Sequence, residues 1–357
     1  MSNYTDTKTT ETGYYTLRPY KRPLKSFQYE KRKVLNPDWF QGSRETENYF
    51  EGWYFKNVSA DEQNTWSFIP GISLVNDDAH AFIQVINGQT GDTYYYRYPA
   101  ESFSFSSEGF EICVGQSYFS DQMFVLDMDD GKNSFKGVIT FDDVKKYPVW
   151  YKRPGIMGWY RYVPSMECYH GVVSLDHGLG GQLTHNSRII DFDKGRGYIE
   201  KDWGSSMPKA WVWMQSNHFE QEGTSFMMSL ARIPWIGNTF TGFLGFLLHE
   251  GSIISFATYT GAVVKDFQYT DKDVKLRIKG NKYTIEVHAM KSPVNIRKTS
   301  VGGLKAPVMG NMERMIHESI DAEIHVLVKD KKGETIFSGT GKHAGFEMVG
   351  YMELLKK

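Results

Sequence analysis

Apolar and polar residues alternate along much of this chain. Val274, Leu276 and Ile278 alternate with charged residues, and Tyr283, Ile285 and Val287 do so again after Gly280-Asn281. Ile320, Ala322, Ile324, Val326 and Val328 keep the same period of two. That is the period of a strand with one dry face and one wet face. Apolar runs at 224–233, 239–249, 253–259 and 262–269, broken by Gly, Asn and Ser, read as further strands. The first half gives strands at 49–58, 66–75, 79–87, 92–98, 103–105, 110–114, 122–128 and 134–141. Asn76-Asp77-Asp78, Asn87-Gly88 and Asp130-Gly131 separate them as turns. Segments 166–175 and 179–184 read as a hairpin, followed by strands at 197–203 and 210–219, and 309–319 admits a short helix. No long helical period interrupts the series, so antiparallel meanders closing into barrels or sandwiches are expected.

Composition supports this picture and narrows the function. Aromatics make up 15% of the chain and there are 34 Gly, which suits pleated surfaces joined by tight turns. With 357 residues there is room for two domains or one large all-β domain. The formal net charge is −1, which argues against nucleic acid as a main partner. Cys113 and Cys168 are too few for a disulfide framework or a cysteine zinc site. The first residues are polar and lack a hydrophobic signal core, so a polar arm with a basic patch at 21–25 and a cytoplasmic location are expected. The longest apolar stretch, 233–248, is shorter than the ~20 residues a membrane-spanning helix needs. Residues 145–165 form an irregular loop rich in aromatics and cations, in the manner of a lid or rim.

Three groups of residues carry candidate chemistry. The first is 198–219, YIEKDWGSSMPKAWVWMQSNHF, with three Trp and the carboxylates Glu200 and Asp202 two residues apart. In a strand that pair shares one face, with Trp203 on the other, and Trp211 and Trp213 share a face further on. Such an acid pair beside an aromatic wall fits proton transfer, and fits equally a salt-bridged strand end. The second is Glu51 beside Trp53 and Tyr54, either a buried acid or a structural carboxylate paired with Arg or Lys. The third is Glu167 and His170, with His177 and His185 beyond them. The His spacings match no metal signature, so a His–carboxylate pair for proton transfer, or plainly packed histidines, are the readings; no metal and no cofactor are expected. No hydrolase elbow, P-loop or dinucleotide fingerprint occurs in its required context.

Three motifs in order, EGWYFK at 51–56, PSMECYHG at 164–171 and GYIEKDWG at 197–204 with Pro208 and Trp211-Val212-Trp213, resemble the tocopherol cyclase-like family. The resemblance runs from about residue 35 to the C-terminus. That family is more distantly similar to carotenoid 1,2-hydratases and to lipocalin-like cyclases acting on polyketides. It implies an all-β chain of two lipocalin-like antiparallel β-barrel domains with few short helices, and an apolar pocket in or between them. The boundaries are then an arm at 1–45, a first barrel at 46–205 and a second at 206–357. The implied activity is acid-catalysed ring closure of a prenylated hydroquinone to a chromanol, an isomerisation without redox change. Asp202 is then the first choice of acid, with Glu51 and Glu200 as alternatives, and His170 or Glu167 accepts the phenol proton. Trp53, Tyr54, Trp203, Trp211 and Trp213 supply the aromatic wall, and Glu347 is a contributor from the second barrel. The expected partner is a hydrophobic, prenylquinol-like small molecule, with transient contact at a membrane surface.

Two other functions remain compatible with the same barrels. A non-catalytic carrier of a hydrophobic ligand needs apolar walls and one polar anchor at most. A cyclase needs a buried, weakly paired carboxyl group facing the cavity. An alkene hydratase uses the same acid, with water in place of the phenol as nucleophile.

Overall fold

A computed structural model of the chain describes residues 8–9, 15–16, 27–45, 47–164, 166–235, 237–291 and 303–356. The basic patch at 21–25 lies outside them. The fold is all-β and built on two barrel-like antiparallel sheets. Each curls for the same reason: its two edge strands are neighbours in sequence. The first sheet ends on Thr93–Pro99 and Phe103–Phe105, joined by residues 100–102, and is nearly closed. The second ends on Ser252–Ala257 and Val263–Tyr269, joined by residues 258–262, and forms a half-barrel. Curling in this way limits the unpaired edge that an open sheet would expose.

Three apolar layers follow from this arrangement. The first barrel is filled by aromatics, among them Trp53, Phe55, Phe68, Phe119 and Phe124. Residues 27–45, from the segment expected to be an arm, pack onto that core through Tyr29, Trp39 and Phe40. The second half-barrel encloses Met214, Phe226, Leu276, Val326 and Phe346. A third layer lies between the sheets and draws Tyr54, Val172 and Tyr198 from the first and Trp211, Trp213, Met227 and Phe246 from the second. Each fully buried side chain of this size contributes about 1.5–3 kcal/mol.

Most strands fall where alternation puts them, and several places differ. The expected hairpin at 166–184 is one 18-residue strand, Cys168–His185. Its turn-like Asp176-His177-Gly178 stays in the sheet, because register shifts between Val172 and His177 absorb the irregularity as bulges. Segment 309–319 is not helical. Leu304–Val308 and Asn311–Ile316 form a hairpin whose turn residues Met309 and Gly310 both have positive φ, 50° and 83°. Alternation also passes over Ser117–Ser120, which is only four residues long, and Thr335–Val349, whose pattern is diluted by Gly339, Gly341 and Gly345.

Candidate active site

The strand Gly195–Gly204 lies at the middle of the first sheet, between Tyr49–Val58 and Cys168–His185. Both its faces are covered, so its alternation separates two buried environments rather than core from water. Ile199 and Trp203 belong to the first barrel's core, while Tyr198 belongs to the layer between the sheets and Glu200 and Asp202 line a cleft there. That cleft encloses about 1360 Å³ of empty space, its open mouth included. Glu318 and Glu347 of the second sheet line it as well, directly opposite one another on neighbouring strands. Its apolar walls include Phe82, Phe240, Phe243 and Leu244. The hairpin 304–316 roofs it with Leu304, Met312 and Ile316, tied to the first sheet by reciprocal bonds between Gln84 and the Lys305 backbone, 2.7 and 3.0 Å.

Each buried carboxyl is held by an aromatic donor. Tyr198 Oη and Trp213 Nε1 donate to Glu200 Oε2 at 2.6 and 3.1 Å. Tyr54 Oη donates to Glu318 Oε1 at 2.5 Å, and Trp211 Nε1 to Glu347 Oε2 at 2.5 Å. The Trp213 ring sits so close to Gly345 that a Cβ there would meet it at 2.5 Å, so only glycine admits the ring in this position. Tyr54 packs edge-on against Trp213, 5.4 Å between centroids.

Electrostatics then divide the groups into two sets. His170 is the register partner of Asp202, and its Nδ1 lies 2.9 Å from Asp202 Oδ1, with Nε2 3.5 Å from Glu200 Oε2. Burial works against the imidazolium, but the two carboxylates outweigh it and raise the His170 pKa to about 9. His170 is therefore a cation at neutral pH. Glu200 rises to about 7, mainly from burial, with His170 opposing. Glu347 rises to about 8 from burial, with Glu200 and Asp202 adding repulsion, and no cation lies within ion-pair distance of it among the described residues. Glu318 is pushed well above the usual carboxylate range by burial and by Glu347. Lys56, fully buried, donates to the His343 carbonyl at 2.8 Å, and burial lowers its pKa to about 7. Four cleft carboxyls thus face few cations, and burial with mutual repulsion favours the protonated form at Glu318 and Glu347.

The residues singled out from sequence divide cleanly by position. Glu200, Asp202, His170, Tyr54, Trp211, Trp213 and Glu347 come together around the cleft. Glu51, Trp53, Trp203 and Glu167 are not among its lining. Glu51 pairs with Lys201 on the far face of the sheet and accepts the Gln41 and Gly42 amides at 2.9–3.1 Å and Tyr49 Oη at 2.5 Å. Trp53 and Trp203 sandwich that lysine, with Nζ 4.3 and 4.9 Å from their ring centroids. Glu167 lies at the end of Cys168–His185, half-buried, its pKa raised by burial. Glu318 is the cleft carboxyl that sequence reasoning missed. The available signal is its phase: it falls on the even positions of 318–328 that are otherwise apolar.

One oxygen or nitrogen from each of His170, Glu200 and Asp202 lies within 4.8 Å of the others, a spacing that a metal ion would accept. A metal there competes with the proton that these same carboxylates hold on His170, so the site as built favours imidazolium near neutral pH.

Fold and site together define an all-β protein of two barrel-like antiparallel sheets with an acid-lined apolar cleft between them. Residues 127–350 match the family described as tocopherol cyclase-like, and the chain belongs to it. It is 22% identical over 368 residues to "Probable tocopherol cyclase, chloroplastic" of Oryza sativa subsp. japonica, covering 85% of this chain and 75% of that protein. It is 21% identical over 418 residues to "Tocopherol cyclase, chloroplastic" of Zea mays, covering 98% and 83%. Among solved structures it is similar to CghA with Sch210972, with a TM-score of 0.48 and 10% identity over 85% of this chain and 89% of that one. Kievitone hydratase from Nectria haematococca gives a TM-score of 0.46 at 10% identity, over 85% and 89%. No helix among the described residues is long and apolar enough to cross a membrane.

Proposed function

We propose that this protein is an acid-catalysed cyclase that closes a chromanol-type ring on a prenylated hydroquinone or similar isoprenoid phenol. One observation carries the reading: Glu347 is a buried carboxyl on the cleft wall, protonated at neutral pH and without a nearby cation. A carrier has no use for such a group, and burying it costs stability. The family relationship supports the same chemistry, and the named plant relatives are tocopherol cyclases.

In this mechanism Glu347 gives its proton to the less substituted alkene carbon, leaving a tertiary cation on the other. Trp211, Trp213 and Tyr54 present ring faces or edges to the same space, and a desolvated cation–ring contact contributes about 0.5–2 kcal/mol. The phenol oxygen attacks the cation, and the phenol proton passes to Glu200. Asp202 is then the ion-pair partner that keeps His170 charged, rather than the acid. His170, held cationic, tunes Glu200 and is not the phenol base. Glu347 has then lost one proton and Glu200 gained one, so the reaction is a net isomerisation, and return of that proton from Glu200 to Glu347, directly or by exchange with solvent, resets the pair for the next turnover. Folding the tail against Phe240, Phe243 and Leu304 brings alkene and phenol together, the larger source of rate.

The direct test is incubation with prenylated hydroquinones and mass spectrometry of the product. The expected result is a product of unchanged mass and altered retention. A gain of one water assigns the hydratase chemistry instead, and an unchanged substrate that stays bound assigns the carrier.

The same assignment predicts a bell-shaped pH profile. Glu200 must be a carboxylate, so activity falls as pH drops through about 7. Glu347 must be protonated, so activity falls as pH rises through about 8. The limbs are macroscopic values of a coupled cluster. A rate of kcat/KM that climbs steadily from pH 5 to pH 10 is incompatible with these roles.

A further inference from the structure

Between the carboxylates Asp143 and Glu167 the chain carries five cations, Lys145, Lys146, Lys152, Arg153 and Arg161, and no acid. Across the whole chain cations and anions almost cancel. The same stretch exposes Val149, Trp150, Tyr151, Trp159 and Tyr162. Its outermost part is a tight turn, closed by Trp150 N to Arg153 O at 3.1 Å and Arg153 N to Trp150 O at 2.8 Å. Tyr151 at its tip is 67% exposed, with Lys152 Nζ 5.6 Å from its ring centroid. The Arg153 guanidinium lies 5.6 Å from the Trp150 ring. Lys145 and Lys146 are paired with Asp143 and Asp121, Arg161 turns inward over Trp203, and Arg153 turns back onto Tyr147 and Tyr259, so the exposed cation at the tip is Lys152.

The turn is firmly mounted. Tyr147 Oη meets Ser255 Oγ of the second sheet at 2.9 Å and accepts from Arg153, and Tyr259 Oη donates to the Ile156 carbonyl at 2.7 Å. The loop's next residues, Met157 and Tyr160, line the cleft. Amphipathic rings interleaved with Lys and Arg are the composition that settles at a bilayer's headgroup level, where rings reach the acyl boundary and cations meet anionic lipid. A turn that holds two rings out into water beside an apolar cleft has the same layout.

We infer that the turn Trp150–Arg153 is a lipid-docking tip that seats the edge of the cleft on an anionic bilayer surface. The inference concerns where the protein sits and is independent of the cyclase reading, because binding is measured without turnover. The test is co-sedimentation of the full chain with vesicles of phosphatidylcholine alone or doped with phosphatidylglycerol, with Trp emission recorded in parallel. Binding to the doped vesicles only, with a blue shift, is expected. The triple variant Trp150→Ala, Tyr151→Ala, Lys152→Glu is expected to keep its circular dichroism and thermal midpoint and to bind at least about tenfold more weakly. Equal binding to both vesicle types, no binding by the parent protein, or undiminished binding by the folded triple variant each overturns it.

Discussion

Replacing Glu347 by Gln lowers the turnover number of ring closure by about 10²–10⁴-fold, the usual worth of a positioned general acid, with KM changed little. Gln is nearly isosteric, and its carbonyl oxygen still accepts from Trp211 Nε1, so the loss is chemical and not structural. The substitution also has a thermodynamic signature. Between the ordinary carboxylate range and about 8, folded Glu347 binds more proton than the unfolded chain does. The unfolding free energy therefore falls as pH rises through that window, by on the order of a few kcal/mol. The stabilisation is complete at low pH and gone above about 8. Gln does not titrate, so the variant gains on the parent protein as pH increases, and thermal midpoints at pH 6 and pH 9 measure this. Retention of turnover within a few-fold in a folded Gln variant removes Glu347 from the mechanism.

The second large effect lies on the other face of Gly195–Gly204, the strand that carries Glu200 and Asp202. Lys201→Met strands the Glu51 carboxylate in a site with no exposed surface, at a cost of about 3–5 kcal/mol. The double variant Glu51→Gln, Lys201→Met recovers most of that loss, because a buried charge pair removed together leaves no unpaired ion. Urea midpoints of the two single variants and the double variant give the coupling directly. Independent, additive losses would show that the pair does not act as a unit. The result also separates the two readings of Glu51 left open by its sequence context: a structural carboxylate shows this coupling, and a cleft acid does not.

The neighbourhood of the site was more legible than its roles. Alternation predicts that Glu200 and Asp202 share a face and that Trp211 and Trp213 share another, and both pairs line the cleft. Trp53 and Trp203 have the same residue type and the same motif company, yet they face the first barrel. Parity along a strand separates faces but does not say which face meets a ligand when both are buried. Thr335–Val349, which carries Glu347, hides its period behind Gly339, Gly341 and Gly345, the last of which the Trp213 ring requires. Glu318 sits 116 positions from Asp202 in a stretch whose alternation is plain, and only its phase with the apolar residues hints at burial. His170 and Asp202 are 32 residues apart, and no spacing rule relates them.

By itself the sequence determined the strand-rich class, most strand positions and the segments that carry the site. These depend on a period of two and on turn residues, which are local properties. The tertiary structure alone decided that the cavity lies between the sheets and not inside the aromatic-filled first barrel. It also decided which carboxyls hold protons. Protonation depends on how many charges share a low-dielectric space, and His170, Glu200, Glu318 and Glu347 reach that space from separate strands of two sheets.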